Sequence, residues 1–218
     1  YFFEGLNKLV SIDKDWVPKE LGSSMYIRPF VFSSSAMLAA SPSLDYKFLI
    51  ICSPGGAYYS KSLSVYVEDK FSRAAPGGAG YAKAAGNYGA SFYPISLAVS
   101  KGFDQIVWTD SITHKKIEEV GTMSIMFRIK DKLITPKTSD TILDGVSRKT
   151  VIQIARDLGI DVEERDITID ELILECCPPY WVHDHRHNSL STPLDHVAYD
   201  VTPEAIIQTS QTKISMRN

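Results

Sequence analysis

The sequence predicts a mixed α/β protein built as two units, and three observations carry that reading. Two runs rich in β-branched and aromatic residues, "SSMYIRPFVF" and "YKFLIICS", have the composition of strands over 24–32 and 46–53. Apolar residues recur at helical spacing in "FFEGLNKLV" and again at Val151, Ile154, Ala155 and Leu158. Between these regions the composition shifts, so a junction is expected near residues 61–72.

Taken in order, residues 2–10 form a first helix that ends before Pro18, a residue that cannot continue one. The two strands follow, separated by the small-residue loop "SSSAMLAASPS". Residues 61–82 read as a linker running into the glycine-rich turn "APGGAG". A helix is predicted from Asn87 to Lys101, capped by Gly102 and kinked by Pro94 at a cost of about 3 kcal/mol. Strands are expected at 105–109 and 123–129, with Glu118 and Glu119 just before the second. A helix from Ser147 stops at Gly159, and "DVEERDITIDEL" supplies a strand and the start of another helix.

The totals narrow the function classes. Of 218 residues, 44% are hydrophobic and 22% charged, which suits a folded chain rather than a disordered one. A net charge of −3 and a pI near 6.0 leave no basic footprint for nucleic acid. The longest apolar run, "FLIIC", is far shorter than the roughly 20 residues of a membrane span. No secretory leader is legible, and the opening on Tyr1 points to a natural start further upstream. Three cysteines, Cys176 and Cys177 adjacent, make a poor disulfide framework and favour a reducing, cytoplasmic setting.

Chemistry is concentrated in "GYAKAAGNYGAS", where Lys83 stands among glycines and alanines with Tyr88 five residues on. A phosphate-binding P-loop needs glycine, lysine and then serine or threonine, but Ala82 and Ala84 flank Lys83. The dinucleotide pattern G-x-G-x-x-G also fails, because Lys83 takes its last place after Gly78 and Gly80. A lysine that bonds covalently to a carbonyl ligand fits better, since small neighbours let a flat group approach. Pyridoxal 5'-phosphate would also need an acidic partner for its ring nitrogen and anchors for its phosphate. "IEEVGTM" offers Glu118 and Glu119, and "DGVSRKT" offers free N–H groups at a helix start. On the residues alone, an ordinary structural reading stands beside this one.

The motifs "SMYIRPF", "SPGGAYY", "RAAPGGAGYAKAAGNYGAS", "EEVGTM" and "ILDGVSRK" resemble, in order and spacing, those of branched-chain amino acid aminotransferases. The resemblance spans residues 1 to about 173. It implies a fold-type IV pyridoxal-phosphate enzyme of two mixed α/β domains joined by an interdomain loop. Residues 1–60 would be the C-terminal part of an incomplete small domain, 61–72 the linker and 73–173 the large cofactor-binding domain. The implied reaction is amino transfer between leucine, isoleucine or valine and 2-oxoglutarate.

Residue by residue, Lys83 resembles the lysine that binds the cofactor covalently and carries the transferred proton. Tyr88 resembles the tyrosine on the cofactor's phenolic oxygen, and Glu119 the glutamate on its ring nitrogen; Glu118 is expected to be a solvated neighbour. Val146 and Ser147 match the helix start that holds the phosphate, and Thr122 would line the pocket. Tyr26 and Arg28 resemble the pair that lets one pocket take an aliphatic side chain or a second carboxylate. Tyr58 matches the interdomain-loop tyrosine. Leu38, Ala39 and Ala40 fall where the family sends a loop into the partner's site, which implies a homodimer. Related fold-type IV enzymes, D-amino acid aminotransferase and aminodeoxychorismate lyase, are the nearest alternatives, and "YIRP" with "EEVGTM" favours the branched-chain group. A non-catalytic truncated remnant is the alternative of a different class.

Three departures from the family stand out. Its upstream residues, including a phosphate-gripping arginine, are absent. Asp144 replaces a usual proline. From 174 to 218 the chain has no glycine- and threonine-rich turn for the substrate carboxylate; it reads as an irregular tail, as a frameshift would produce. The chain as given is therefore expected to be a poor or inactive enzyme. That tail holds His183, His185, His187 and His196, whose spacing matches no zinc site, so no metal is expected.

Overall fold

A computed structural model describes residues 1–56, 63–176 and 198–199. The chain divides into two units, Tyr1–Tyr58 and Tyr59–Asn218.

The first unit is a helix on a ribbon. Helix α1 (Phe2–Ile12) leads through a single 3-10 turn, Lys14–Trp16, to strands β1 (Ser24–Ser33) and β2 (Tyr46–Gly55). The strands pair antiparallel from Ser24 opposite Gly55 to Ser33 opposite Tyr46. The Phe2 ring meets the Phe48 ring at 5.9 Å, which seats α1 on β2. Much of the ribbon's apolar surface stays exposed, including Val31, Phe48 and Ile51. Two strands cannot enclose a core by themselves.

The second unit holds the core. Its first strand, β3 (Val65–Val67), lies within the stretch expected as a linker. β3 pairs in parallel with β4 (Gln105–Thr109), and a parallel pair requires a crossover. Helices α2 (Ala85–Gly89) and α3 (Phe92–Ser100) supply it. The single kinked helix expected over 87–101 is thus two helices. Pro94 is the third residue of α3, where an N–H has no helical partner to lose, so its ring is accommodated at little cost.

Strand β5 (Ile117–Val120) pairs antiparallel with β4, and a two-residue strand at Ala198–Tyr199 pairs with the other edge of β3. Glu118 and Glu119 therefore lie within a strand rather than ahead of one. The strand expected over 123–129 is shorter, β6 (Phe127–Ile129), and joins β7 (Lys132–Thr135) and β8 (Asp161–Glu164) in a second sheet. Helix α4 (Val146–Asp157) makes the crossover between the parallel pair β7 and β8. Helix α5 (Ile169–Cys176) follows.

Strand alternation sorts the core into layers. Val65, Val107, Ile117, Val120, Phe127 and Ile134 pack on one side of the first sheet, while Tyr66, Ile106 and Trp108 face Ala98 of α3 on the other. Met126 and Leu133 pack against Ile152 and Ala155 of α4. Each parallel crossover thereby holds a helix against a sheet, and the segments at the strand ends carry the polar cluster described next.

Candidate active site

The loop ahead of Lys83 is clamped. Gly77 donates its N–H to Asp140 Oδ2 at 2.5 Å, and Tyr81 donates to the Asp140 carbonyl at 2.9 Å. Between them Gly80 has no room for a side chain. A Cβ there would lie 2.5 Å from Ala74 Cβ and 2.8 Å from Thr141 Cα. This close approach is what the glycine provides. Asn87 of α2 then reaches back, donating to the carbonyls of Ala79 at 2.7 Å and Ala82 at 3.0 Å.

The clamped loop presents an exposed Lys83 whose Nζ donates to Tyr88 Oη at 2.6 Å. Nζ also lies 4.4 Å from the centre of the Tyr88 ring. The phenol therefore fixes the amine in position and direction while leaving one side open.

Glu119 is the acidic centre of the cluster and is only 4% exposed. Its Oε2 lies 3.2 Å from Arg73 Nε, an ion pair not aligned as a hydrogen bond, and its Oε1 accepts the Leu143 N–H at 2.9 Å. Burial pushes the Glu119 carboxyl above the usual range, opposed by the charge of Arg73, the Leu143 N–H and the charge of Lys83. Lys83 is thus within electrostatic reach of Glu119.

Glu118, expected as a solvated neighbour, is buried at 7% exposure. Its Oε1 accepts the Thr141 hydroxyl at 2.6 Å. Burial raises its carboxyl to about 7, against the pull of Thr141 and Arg73. Neighbouring side chains on a strand point to opposite faces, so both faces of β5 need polar partners here.

Leu143 ties Glu119 to the approach to α4, whose start is open. Gly145 occupies the N-cap without a side-chain hydrogen bond, the first turn carries no acid, and Val146 and Ser147 are exposed. Asp144 ion-pairs with Lys149 at 2.6 Å, so its added carboxylate is answered by a cation instead of capping the helix. The side chain of Arg148, 3% exposed, anchors this turn by donating to the Pro136 carbonyl and to Glu164 Oε2, both at 2.9 Å. Thr122 is exposed in the tight turn Gly121–Thr122 that closes β5, where Val120 and Met123 exchange backbone hydrogen bonds.

In the first unit, the Arg28 guanidinium lies 5.0 Å from the centre of the Tyr26 ring, since residues two apart share a strand face. Ala40 is exposed in the loop after β1. Tyr58 and the four tail histidines lie outside the described residues. Among the described residues no cluster of three or more histidine, cysteine or acidic side chains could hold a metal, and no helix is long and apolar enough to cross a membrane.

Sequence reasoning missed Arg73, Asn87 and Thr141. Arg73 opens the motif that contains Lys83, and an arginine followed by two alanines and a proline has no solvated helix face to serve. That was the available signal. Asn87 and Thr141 act through backbone and loop contacts that only the fold creates.

The donor set fits an aromatic aldehyde phosphate on the evidence of this geometry. A directed amine stands near a buried carboxylate that a ring nitrogen could meet, and the backbone beside that carboxylate leads to an open helix start suited to an anion. A lysine, a buried acid and an open helix start thus stand in one unit of the fold.

Residues 4–176 match the family model for amino-transferase class IV. The chain belongs to that family. It is 49% identical over 173 residues to a probable branched-chain-amino-acid aminotransferase of Staphylococcus epidermidis, covering 78% of this chain and 48% of that protein. Among solved structures it is similar to a branched-chain aminotransferase of Thermoproteus uzoniensis with norvaline, at 30% identity and a TM-score of 0.67 over 79% of this chain and 57% of that one. It is also similar to the branched-chain aminotransferase of Thermobaculum terrenum in its PLP-form, at 27% identity and a TM-score of 0.59 over 77% and 53% of the two chains. The chain spans about half the length of the curated relatives it matches.

Proposed function

We propose that the protein transfers amino groups between branched-chain L-amino acids and 2-oxoglutarate with pyridoxal 5'-phosphate as cofactor. The observation that carries the reading is Glu119, buried between Arg73 and the Leu143 N–H and within electrostatic reach of Lys83. The names of the similar proteins, one with an aliphatic amino acid and one in its PLP-form, support both the substrate class and the cofactor.

When bound, the cofactor supplies an electron-withdrawing ring that stabilises charge at the substrate's Cα. The chain's residues supply the rest. Lys83 attaches the cofactor and moves the proton at Cα, with Tyr88 holding its amine in line. Glu119 keeps a proton on the ring nitrogen. The N–H groups at Val146 and Ser147 hold the phosphate, where the helix dipole favours an anion. Thr122 lines the pocket. Tyr26, Arg28 and Tyr58 form the substrate side, with Arg28 taking the second carboxylate of glutamate. Residues 1–60 act as the C-terminal part of the small domain, and the loop at Ala40 completes the site of a second copy in a cytoplasmic homodimer.

Single-turnover conversion of L-leucine to its 2-oxo acid, at high protein concentration with pyridoxal 5'-phosphate, tests the reading by mass spectrometry. L-leucine, L-isoleucine and L-valine should each outpace D-alanine by tenfold or more. Preference for D-alanine would assign a different reaction to the same fold.

A further inference from the structure

We propose that Arg73 is the positioning residue of this site, one guanidinium that pairs with Glu119 and fixes the loop carrying Lys83. The inference rests on the reading of the site given above. Arg73 is 6% exposed and reaches three separate segments at once. Its Nε lies 3.2 Å from Glu119 Oε2 on β5. Its Nη2 donates to the Gly80 carbonyl at 3.3 Å, three residues before Lys83, and to the Thr141 carbonyl on the approach to α4. A planar fork with five donors can do this, whereas a lysine ammonium is a single point of charge.

The charge balance around Glu119 makes that contact consequential. The groups acting on it are Arg73 from the preceding loop, Lys83, and the Leu143 N–H, with Glu118 next to it on β5. Lys83 is exposed and is the amine that would be consumed in attaching a carbonyl ligand. Once it is engaged, Arg73 is, among the described residues, the positive side chain that still acts on Glu119. A glutamate that took up a proton could no longer hold one on a ring nitrogen. Arg73 therefore governs whether the acid can do its work, although it need not touch cofactor or substrate itself.

The test separates charge from anchoring with Arg73→Gln and Arg73→Lys in the 218-residue chain. Side-chain carbon NMR of labelled glutamate, assigned with Glu119→Gln, follows the Glu119 titration in cofactor-free protein. In Arg73→Gln the midpoint should move to higher pH by about one to three pH units, and affinity for added pyridoxal 5'-phosphate should fall at least tenfold. In Arg73→Lys the midpoint should return most of the way, while amide exchange over 74–82 stays faster than in the parent. Should Arg73→Gln not fold, as loss of one partner of a buried pair can cause, Arg73→Lys alone decides through that split.

An unmoved Glu119 midpoint in a folded Arg73→Gln, or exchange in Arg73→Lys as slow as in the parent, overturns the inference. Failure of the parent chain to take up pyridoxal 5'-phosphate while the midpoint still follows Arg73 would sink the functional reading and leave this inference standing.

Discussion

The Lys83 amine and the Tyr88 phenol meet at 2.6 Å across five residues, joining the end of the glycine-rich loop to α2. The contact needs the loop to turn sharply, and the turn is held from outside by Asp140 and from α2 by Asn87. Tyr88→Phe keeps the ring and removes the oxygen. Hydrogen bonds to a charged group contribute about 1.5–3 kcal/mol, so affinity for pyridoxal 5'-phosphate should drop by tenfold or more with the fold unchanged. Equal affinity in a titration of the two proteins would show that the phenol is packing only.

Glu118 should make stability fall with rising pH. Its carboxyl is held at about 7 in the folded chain against an ordinary value of 4.5. Between those limits the folded state binds more proton than the unfolded state, so stability is fully present below the ordinary value and is lost as pH rises through about 7. The full loss is roughly 3 kcal/mol. Glu118→Gln should thus match the parent near pH 4.5 and exceed it increasingly up to pH 7, then by a constant amount. Thermal unfolding of both proteins across pH checks this, and a difference independent of pH would contradict it.

Gly80→Ala should loosen the loop. The new methyl meets Ala74 Cβ at 2.5 Å, Thr141 Cα at 2.8 Å and the Asp140 carbonyl at 2.9 Å, and backbone atoms have nowhere to go. Overpacking of this kind costs about 1–3 kcal/mol. Denaturant unfolding reads the loss, and covalent capture of pyridoxal 5'-phosphate should fall with it. Wild-type stability would mean the loop accepts a shift the geometry does not offer.

Arg28→Ala should separate the two substrates. Glutamate presents a second carboxylate to the guanidinium and leucine does not. Turnover of glutamate should therefore fall at least tenfold more than turnover of leucine, as judged from the two kcat/KM values. Equal losses would make Arg28 a strand residue that packs on Tyr26 and no more.

How much of this was legible in the sequence depends on where each element gets its stability. Strands β1 and β2 carry their own signal, aromatic and β-branched residues in long runs, and the predicted bounds fall within two residues of those observed. Strand β4 is legible in the sequence because Ile106, Val107 and Trp108 at its centre are apolar on both faces, as suits a strand buried on both sides. Strand β3 was missed: three residues, "VYV", give no period, and only pairing with β4 makes them a strand. The break between α2 and α3 was hidden as well, since Ala90 and Ser91 suit a helix, and the Pro94 ring was taken for a kink instead of a beginning.

The candidate site divides the same way. Lys83, Tyr88, Glu119 and the start of α4 stood out through small neighbours, motif order and a glycine before a helix. Arg73, Glu118 and Thr141 did not, because a buried charge is recognisable only when its partner is known. The partners come from loops 23 and 68 residues away in the chain.

The most direct test is to find which lysine takes the cofactor. The 218-residue chain is incubated with pyridoxal 5'-phosphate, reduced with borohydride, digested and mapped by mass spectrometry. The pyridoxyl group should be found on Lys83 ahead of every other lysine, and Lys83→Ala should leave only trace labelling elsewhere. Labelling spread over the surface lysines, or undiminished in Lys83→Ala, would contradict the account.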